Sequence, residues 1–217
     1  MSSPVVDIDT VAGLRALDIA LPEAARAKLD AYVVLLAKWN RTYNLTAIRE
    51  PARMITHHVL DALAALPHLP SRRTLRVLDV GSGGGVPGIP IAVARPEWNV
   101  TMVDSNRKKT TFLTQAAIEL GLANAHAVAS RVEDLAGLGP FDVVISRAFA
   151  DLRTFVDVSA QQLARDGAWY AMKGVLPTAE IAALPPSVEV VASPALQVPG
   201  VEGERHLVVM KLRAPSA

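Results

Sequence analysis

The stretch from Leu75 to Gly88, LRVLDVGSGGGVPG, constrains the fold of this chain more than any other. Leu75, Val77, Leu78 and Val80 form a short apolar run of the kind that suits a buried strand. The run breaks at once into Gly81, Ser82, Gly83, Gly84 and Gly85. Pro87 follows, placed to open a helix because its missing N–H goes unpaired in a first turn anyway. Strand, glycine turn and helix are the first half of a nucleotide-binding βαβ unit. Glycines in that turn let the backbone take positive φ and let a ligand approach where a Cβ would stand.

Two ligand readings are open. Gly83, Gly85 and Gly88 read as G-x-G-x-x-G, the dinucleotide fingerprint. Counted from Asp79, the same loop reads Asp79-x-Gly81-x-Gly83-x-Gly85, the pattern of S-adenosylmethionine (SAM) methyltransferases, and only this reading uses the carboxylate. A second apolar run, Asn99 to Val103, ends in Asp104, roughly twenty residues on, where an acid can accept both hydroxyls of an adenosyl ribose. That spacing suits NAD and SAM equally. The plain alternative is a glycine turn with no ligand at all.

From Leu75 onward strand and helix patterns alternate. Strands are expected at Arg76 to Val80, Val100 to Val103, Ala125 to Ala129, Phe141 to Ser146, Gly167 to Lys173, Val188 to Ala192 and His206 to Leu212. Helices are expected at Pro87 to Ala94, about Arg107 to Leu120, Leu152 to Leu163 and Thr178 to Leu184. This order predicts an α/β fold: a mostly parallel sheet of seven strands covered on both faces, with an antiparallel strand at the end of the chain. Residues 1–70 instead read as a helical extension, and residues 71–217 as the ligand-binding domain. The extension's segments are Asp7 to Leu17, a stripe from Leu21 to Trp39, and Ala52 to Leu66, which Pro67 ends. In open α/β sheets ligands sit beyond the carboxyl ends of the strands, so the residues just past strands one, two, four and five are the site candidates.

Composition narrows the chemistry. The chain has no cysteine, which removes a disulfide framework, a thiolate zinc site and the cysteine adduct through which pyrimidine C5 is usually methylated. No apolar stretch approaches the ~20 residues of a membrane span, and MSSPVVDIDT lacks the features of a secretory signal. A cytoplasmic protein, monomeric by default and binding no metal, is the expectation. The net charge of +1 says nothing about nucleic acid, so such a partner must be argued from local patches.

Past the fourth strand, amino-group DNA methyltransferases carry an Asn/Asp-Pro-Pro-aromatic turn. Here the turn is Ser146, Arg147, Ala148 and Phe149, with no carboxylate, His or Lys before Asp151. Such a turn suits a nucleophile with a free lone pair, a ring nitrogen for example, which needs alignment and no deprotonation. Arg147 reads as a site cation or as a solvated loop charge. Val132 and Glu133, after the third strand, are placed to meet an adenine ring, though Glu133 reads equally as a first-turn helix acid. Lys173 could hold a phosphate or the target base, or be an ordinary strand-end lysine.

Asn106 to Lys109 is a basic helix start that opposes the helix dipole, read as a solvated face or a phosphate contact. Arg41, Arg49, Arg53, Arg72 and Arg73 with Trp39 and Tyr43 suit structured RNA. The bland reading has the two aromatics docking the helical extension onto the sheet. His57 and His58 have no metal-ligand spacing and read as ordinary helix residues.

Several blocks together resemble the small-subunit ribosomal RNA guanine-N7 methyltransferases, once called the glucose-inhibited division protein B family. They are KWNRTYNLTAIREP, HHVLDAL, RVLDVGSGGGVPGIPIAVARPE, TMVDSNRKKTTFL, SRVEDL, FDVVISRAFADL, YAMKG and GERHLVVMKL, in order along nearly the whole chain. The resemblance implies a Rossmann-like class I SAM-dependent methyltransferase that methylates one guanine N7 in 16S ribosomal RNA near the decoding region. It implies cofactor contacts at Gly81, Val86, Val132, Glu133 and Arg147, with Asp104 as the ribose-side acid and Gly83 and Gly85 in the loop. Val86 sits where other members often carry Leu or Phe. Arg147 and Lys173 stand as candidate catalytic residues. Two rivals remain: an NAD-dependent oxidoreductase on the same glycine loop, and a non-catalytic RNA-binding ribosome-assembly factor.

Overall fold

The structure is a computed structural model that describes residues 9–213. A seven-stranded sheet runs through it in the order β3-β2-β1-β4-β5-β7-β6. The strands are β1 (Arg76–Val80), β2 (Asn99–Asp104), β3 (Ala125–Ala129), β4 (Phe141–Arg147), β5 (Leu163–Lys173), β6 (Val188–Ala192) and β7 (His206–Leu212). β1 to β5 are parallel, while β7 runs antiparallel between β5 and β6. The antiparallel strand is therefore one in from the edge. A dinucleotide-binding sheet of order 3-2-1-4-5-6 has no such insertion.

Apolar side chains alternate along the strands, as a sheet covered on both faces requires. Val77, Val100, Met102, Val143, Ile145 and Tyr170 face one core, and Leu78, Val80, Val103, Val144, Trp169 and Met210 face the other. The second face is covered by α7 (Leu152–Ser159) and α8 (Thr178–Ala182). Over the first lie α5 (Gly88–Ala94) and α6 (Arg107–Glu119), with α1 (Thr10–Ala16) and α2 (Glu23–Tyr43) in the same continuous core. Leu29, Tyr32 and Leu36 of α2 are fully buried there, and Trp39 packs at a tilt of 59° against Phe112 of α6 with ring centroids 5.6 Å apart. Trp39 thus docks the extension, and Tyr43 stacks on Trp39 while staying exposed.

Most expected elements are present, with three shifts. α5 opens at Gly88 because Pro87 is its flanking residue. β5 begins at Leu163, which pairs with Phe141, so the preceding helix stops at Ser159 and a 3₁₀ turn, Ala160–Gln162, finishes the segment. The helix expected over Ala52 to Leu66 is broken up. α3 (Pro51–Met54) passes into a π-helical stretch, Ile55–Leu60, and then into α4 (Asp61–Leu63). A π-turn carries one extra residue per turn and is common at functional sites.

Candidate active site

The strand order reverses between β1 and β4, the topological switch point at which such sheets bind ligands. At the carboxyl end of β1 the chain turns through Gly81, Gly83 and Gly85 at φ of 71°, 56° and 90°, a region closed to most residues. Asp79, fully buried at the strand's end, accepts from the Gly88 N–H at 2.9 Å and so ties the glycine loop to α5. A Cβ on Gly88 would stand 2.7 Å from that carboxylate oxygen, so only glycine permits the contact. Burial pushes the Asp79 carboxyl up to about 7, and its Oδ1 has no hydrogen-bond partner. From α2, the buried Tyr32 hydroxyl donates to Gly84 O at 2.6 Å, so the helical extension also holds this loop.

A cavity of about 330 Å³ opens above these strand ends, lined by Gly81, Asp104, Val132, Glu133, Arg147 and Phe149 among others. Asp104 accepts from Gly83 N–H at 3.0 Å and from Asn106 N–H at 2.8 Å. A carboxylate has about four lone-pair positions, so two stay available for a ribose diol. Val132 is buried and Phe149 supplies an apolar ring, surfaces that suit an adenine. The residues present therefore fit an adenosyl ligand. Val86 and Gly85 do not line this cavity: Val86 is buried in the core, and both spend their N–H groups on Ser82 O. Glu133 stands half exposed with its carboxylate 3.7 Å from Arg131. The basic helix start has a local answer, since Asn106 caps α6 and Lys109 lies 3.7 Å from Asp104.

Arg147 ends β4 and borders this cavity, but its guanidinium reaches away from it, toward the π-helical stretch. It donates to His57 O at 2.6 Å and to Asp61 Oδ2 at 3.2 Å, and its Nη2 lies 3.1 Å from His58 Nδ1. Arginine keeps its protons, so Nδ1 is the acceptor in that pair and the His58 Nε2–H donates to Thr46 Oγ1 at 2.8 Å. With this tautomer the 2.9 Å approach of Nδ1 to His57 O is a contact and no hydrogen bond. Burial and the Arg147 charge hold His58 down to about 4, so it is neutral at physiological pH. Ala148, next in the chain, takes φ 62°, a left-handed conformation that costs a non-glycine residue about 1 kcal/mol or more.

Beyond Arg147 and Ala148 lies a second cavity, of about 350 Å³, reached by His57, His58, Asp61, Lys173, Arg205 and Met172. The two cavities share Arg147 and Ala148. Lys173 lines the second one, yet its amine is bound by Glu180 at 2.8 Å. The sequence reads His58 as an ordinary helix residue and gives no functional role to Asp61, Thr46, Arg205 or Tyr32. A carboxylate among the apolar residues Val59, Leu60, Ala62 and Leu63 was the one available signal, because a buried charge needs a partner.

The profile of the family described as rRNA small subunit methyltransferase G matches residues 25–208. The chain belongs to this family. It is 54% identical to the ribosomal RNA small subunit methyltransferase G of Laribacter hongkongensis over 202 residues, 93% of this chain and 96% of that one. Against the same enzyme of Neisseria meningitidis serogroup A the identity is 52% over the same shares. Solved structures share the fold at low identity. The ribosomal protein L11 methylase of Lactobacillus delbrueckii matches with TM-score 0.55 and 17% identity over 71% of this chain and 77% of that one. Coclaurine N-methyltransferase bound to N-methylheliamine and SAH matches with TM-score 0.54 and 11% identity over 87% and 66%. The rRNA small subunit methyltransferase G family is one of SAM-dependent enzymes, and the fold is the Rossmann-like class I methyltransferase fold with its antiparallel seventh strand. The oxidoreductase and binding-only readings gain no support from the relatives.

Proposed function

We propose that this chain transfers the methyl group of SAM to N7 of a guanine in 16S ribosomal RNA near the decoding region, in the cytoplasm. SAM when bound supplies an electrophilic methyl on a sulfonium. The glycine turn and Asp104 hold its adenosyl end, with Val132 and Phe149 against the base; Glu133, at the rim, is the candidate acceptor for the adenine amino group.

The observation that carries the reading is the match to the rRNA small subunit methyltransferase G family over residues 25–208, and the groups around Arg147 accord with it. Both His58 ring nitrogens are engaged, Asp61 is held between Arg147 and Arg205, and Ser146 Oγ donates to Val80 O. The turn Ser146 to Phe149, with no carboxylate, His or Lys, suits a nucleophile that has no proton to lose, and orientation then does most of the work. Guanine N7 is such an atom. An arginine that gripped N7 and O6 together would block the attack; Arg147 spends its donors on the π-helical stretch. Exposed Arg41, Arg49, Arg53 and Arg73 form no ion pair among the described residues, which leaves them for RNA phosphates.

Incubation of the protein with labelled SAM and small ribosomal subunits is expected to label one guanosine, at N7 when mapped by cleavage at the alkylated base. Label on an exocyclic nitrogen or a ribose, or no label, would refute the assignment. Arg147→Ala is expected to lower transfer by at least about 100-fold, the scale of losing one positioning or charge-stabilising group. An unchanged rate together with unchanged SAM affinity would remove Arg147 from the site.

A further inference from the structure

The second cavity is bordered by one carboxylate whose acceptor positions are not all filled. Asp61 has a side chain only 6% exposed, and it sits where the π-helical stretch meets α4. Its Oδ2 accepts from Arg147. Its Oδ1 is buried and has no hydrogen-bond partner, although Arg205 Nε lies 3.3 Å away in ion-pair range without the alignment to donate. A buried acceptor left unpaired is costly, and native structures keep few of them without a reason.

The cavity around Asp61 is mixed in character. Ile48, Met172 and Leu196 give it apolar walls, while Lys173 and Arg205 bring cations. It meets the SAM-side cavity at Arg147 and Ala148, so whatever enters it lies next to the methyl-donor site. A flat heterocycle with acceptors on one edge and donors on the other fits this distribution of chemistry.

We propose that this cavity receives the target guanine and that Asp61 reads its donor edge, accepting from N1–H and from the 2-amino group; this rests on the guanine-N7 reading above. The logic is one of opposite edges. N7 and O6 are acceptors on one side of the ring, and N1–H and the 2-amino group are donors on the other. A guanine that turns N7 toward the methyl donor therefore presents its donors to the far wall, where a carboxylate is the matching group. Adenine also has an N7 lone pair, so nucleophilicity does not separate the two purines. Its N1 is an acceptor, and a carboxylate facing it is repelled. Asp61 thus selects guanine where the reacting atom does not, and a site built to bond a polar group rejects the analogue that lacks it most strongly.

The test replaces the methylated guanosine by inosine, which keeps N7, O6 and N1–H and lacks only the 2-amino group. Small-subunit RNA with either nucleoside at that position is assembled into subunits, and kcat/KM is measured with wild type and with Asp61→Asn. Inosine is expected to lower the wild-type value by roughly 30-fold or more and the variant's value by less than about 3-fold, because the variant has already lost the charged acceptor. Equal rates for guanosine and inosine with wild-type protein overturn the proposal and need no variant at all. An inosine penalty that is the same in wild type and in an Asp61→Asn protein that still folds and binds SAM overturns it as well. Wild-type protein that fails to label the guanosine subunits refutes the underlying guanine-N7 reading, a different failure.

Discussion

Two buried ionisable groups at the site carry opposite pH signatures. Asp79 is held up to about 7 by burial, whereas an aspartate in the unfolded chain titrates near 3.9. Between those values the folded protein keeps a proton that the unfolded chain has released, so this group makes stability fall as pH rises from about 4 to about 7. His58 is held down to about 4 by burial and Arg147, against about 6.5 when unfolded. There the unfolded chain holds the extra proton, and stability rises with pH over the same acidic range. The two partly cancel in the wild-type profile, so a difference measurement is needed to see either. Asp79→Asn keeps an acceptor for the Gly88 N–H and cannot ionise. Its urea midpoint relative to wild type is expected to climb steadily from about pH 4 to about pH 7. A constant offset would mean that Asp79 is ionised throughout. Asp79 itself stood out in the sequence from its place before the glycines, but its elevated pKa comes from complete burial, which no local pattern encodes.

At the scale of elements, the N-terminal helices form part of the site's wall. Asn40 of α2 accepts from Thr46 N–H and donates to Ile48 O, fixing the loop that carries Thr46 to His58. The π-helical stretch and the first residue of α4 then bring His57 O and Asp61 to Arg147. Tyr32 links α2 to the glycine turn through a single bond to Gly84 O. Tyr32→Phe leaves that carbonyl buried and unpaired, so it is expected to cost about 1–3 kcal/mol and to raise KM for SAM with little change in kcat. Denaturant titration and initial-rate kinetics check both halves. A change in kcat alone would place Tyr32 outside the support of the cofactor loop. The helix over residues 52–66 was legible as a helix because Ile55, Val59, Leu60 and Leu63 keep its period. Its π-turn was not, since widening a turn is settled by contacts across to β4.

At the scale of the molecule, one core runs from α1 and α2 through α5 and α6 to the sheet. The extension is part of the layer that covers that face, and residues 71–217 alone would leave α5 without the α2 and α4 helices packed against it. A chain truncated to residues 71–217 is therefore expected to lack a cooperative thermal transition and to bind an exposed-hydrophobe dye, as calorimetry and fluorescence would report. A sharp transition near the full-length temperature would show the sheet to be self-sufficient. No helix among the described residues is long and apolar enough to cross a membrane.

The division between what was legible in the sequence and what was not follows the range of the interactions. Strand and helix periods, the glycine turn and the acid at position 104 are local patterns, set by pleat geometry, by the need for positive φ and by the fixed length of a βα unit. They were enough for the α/β fold, the order of elements and the choice of the strand ends that border the first cavity. The second cavity was not legible, because its groups come from positions 48, 57–61, 147, 173 and 205 and meet only when the extension, β4, β5 and the segment before β7 close together. Asp61, Arg147 and Arg205 acquire their meaning from one another: a buried carboxylate stands between two guanidiniums with one lone-pair face left over. Long-range charge pairing of that kind leaves no periodic trace along a chain, so the tertiary structure alone decided that these three charges meet.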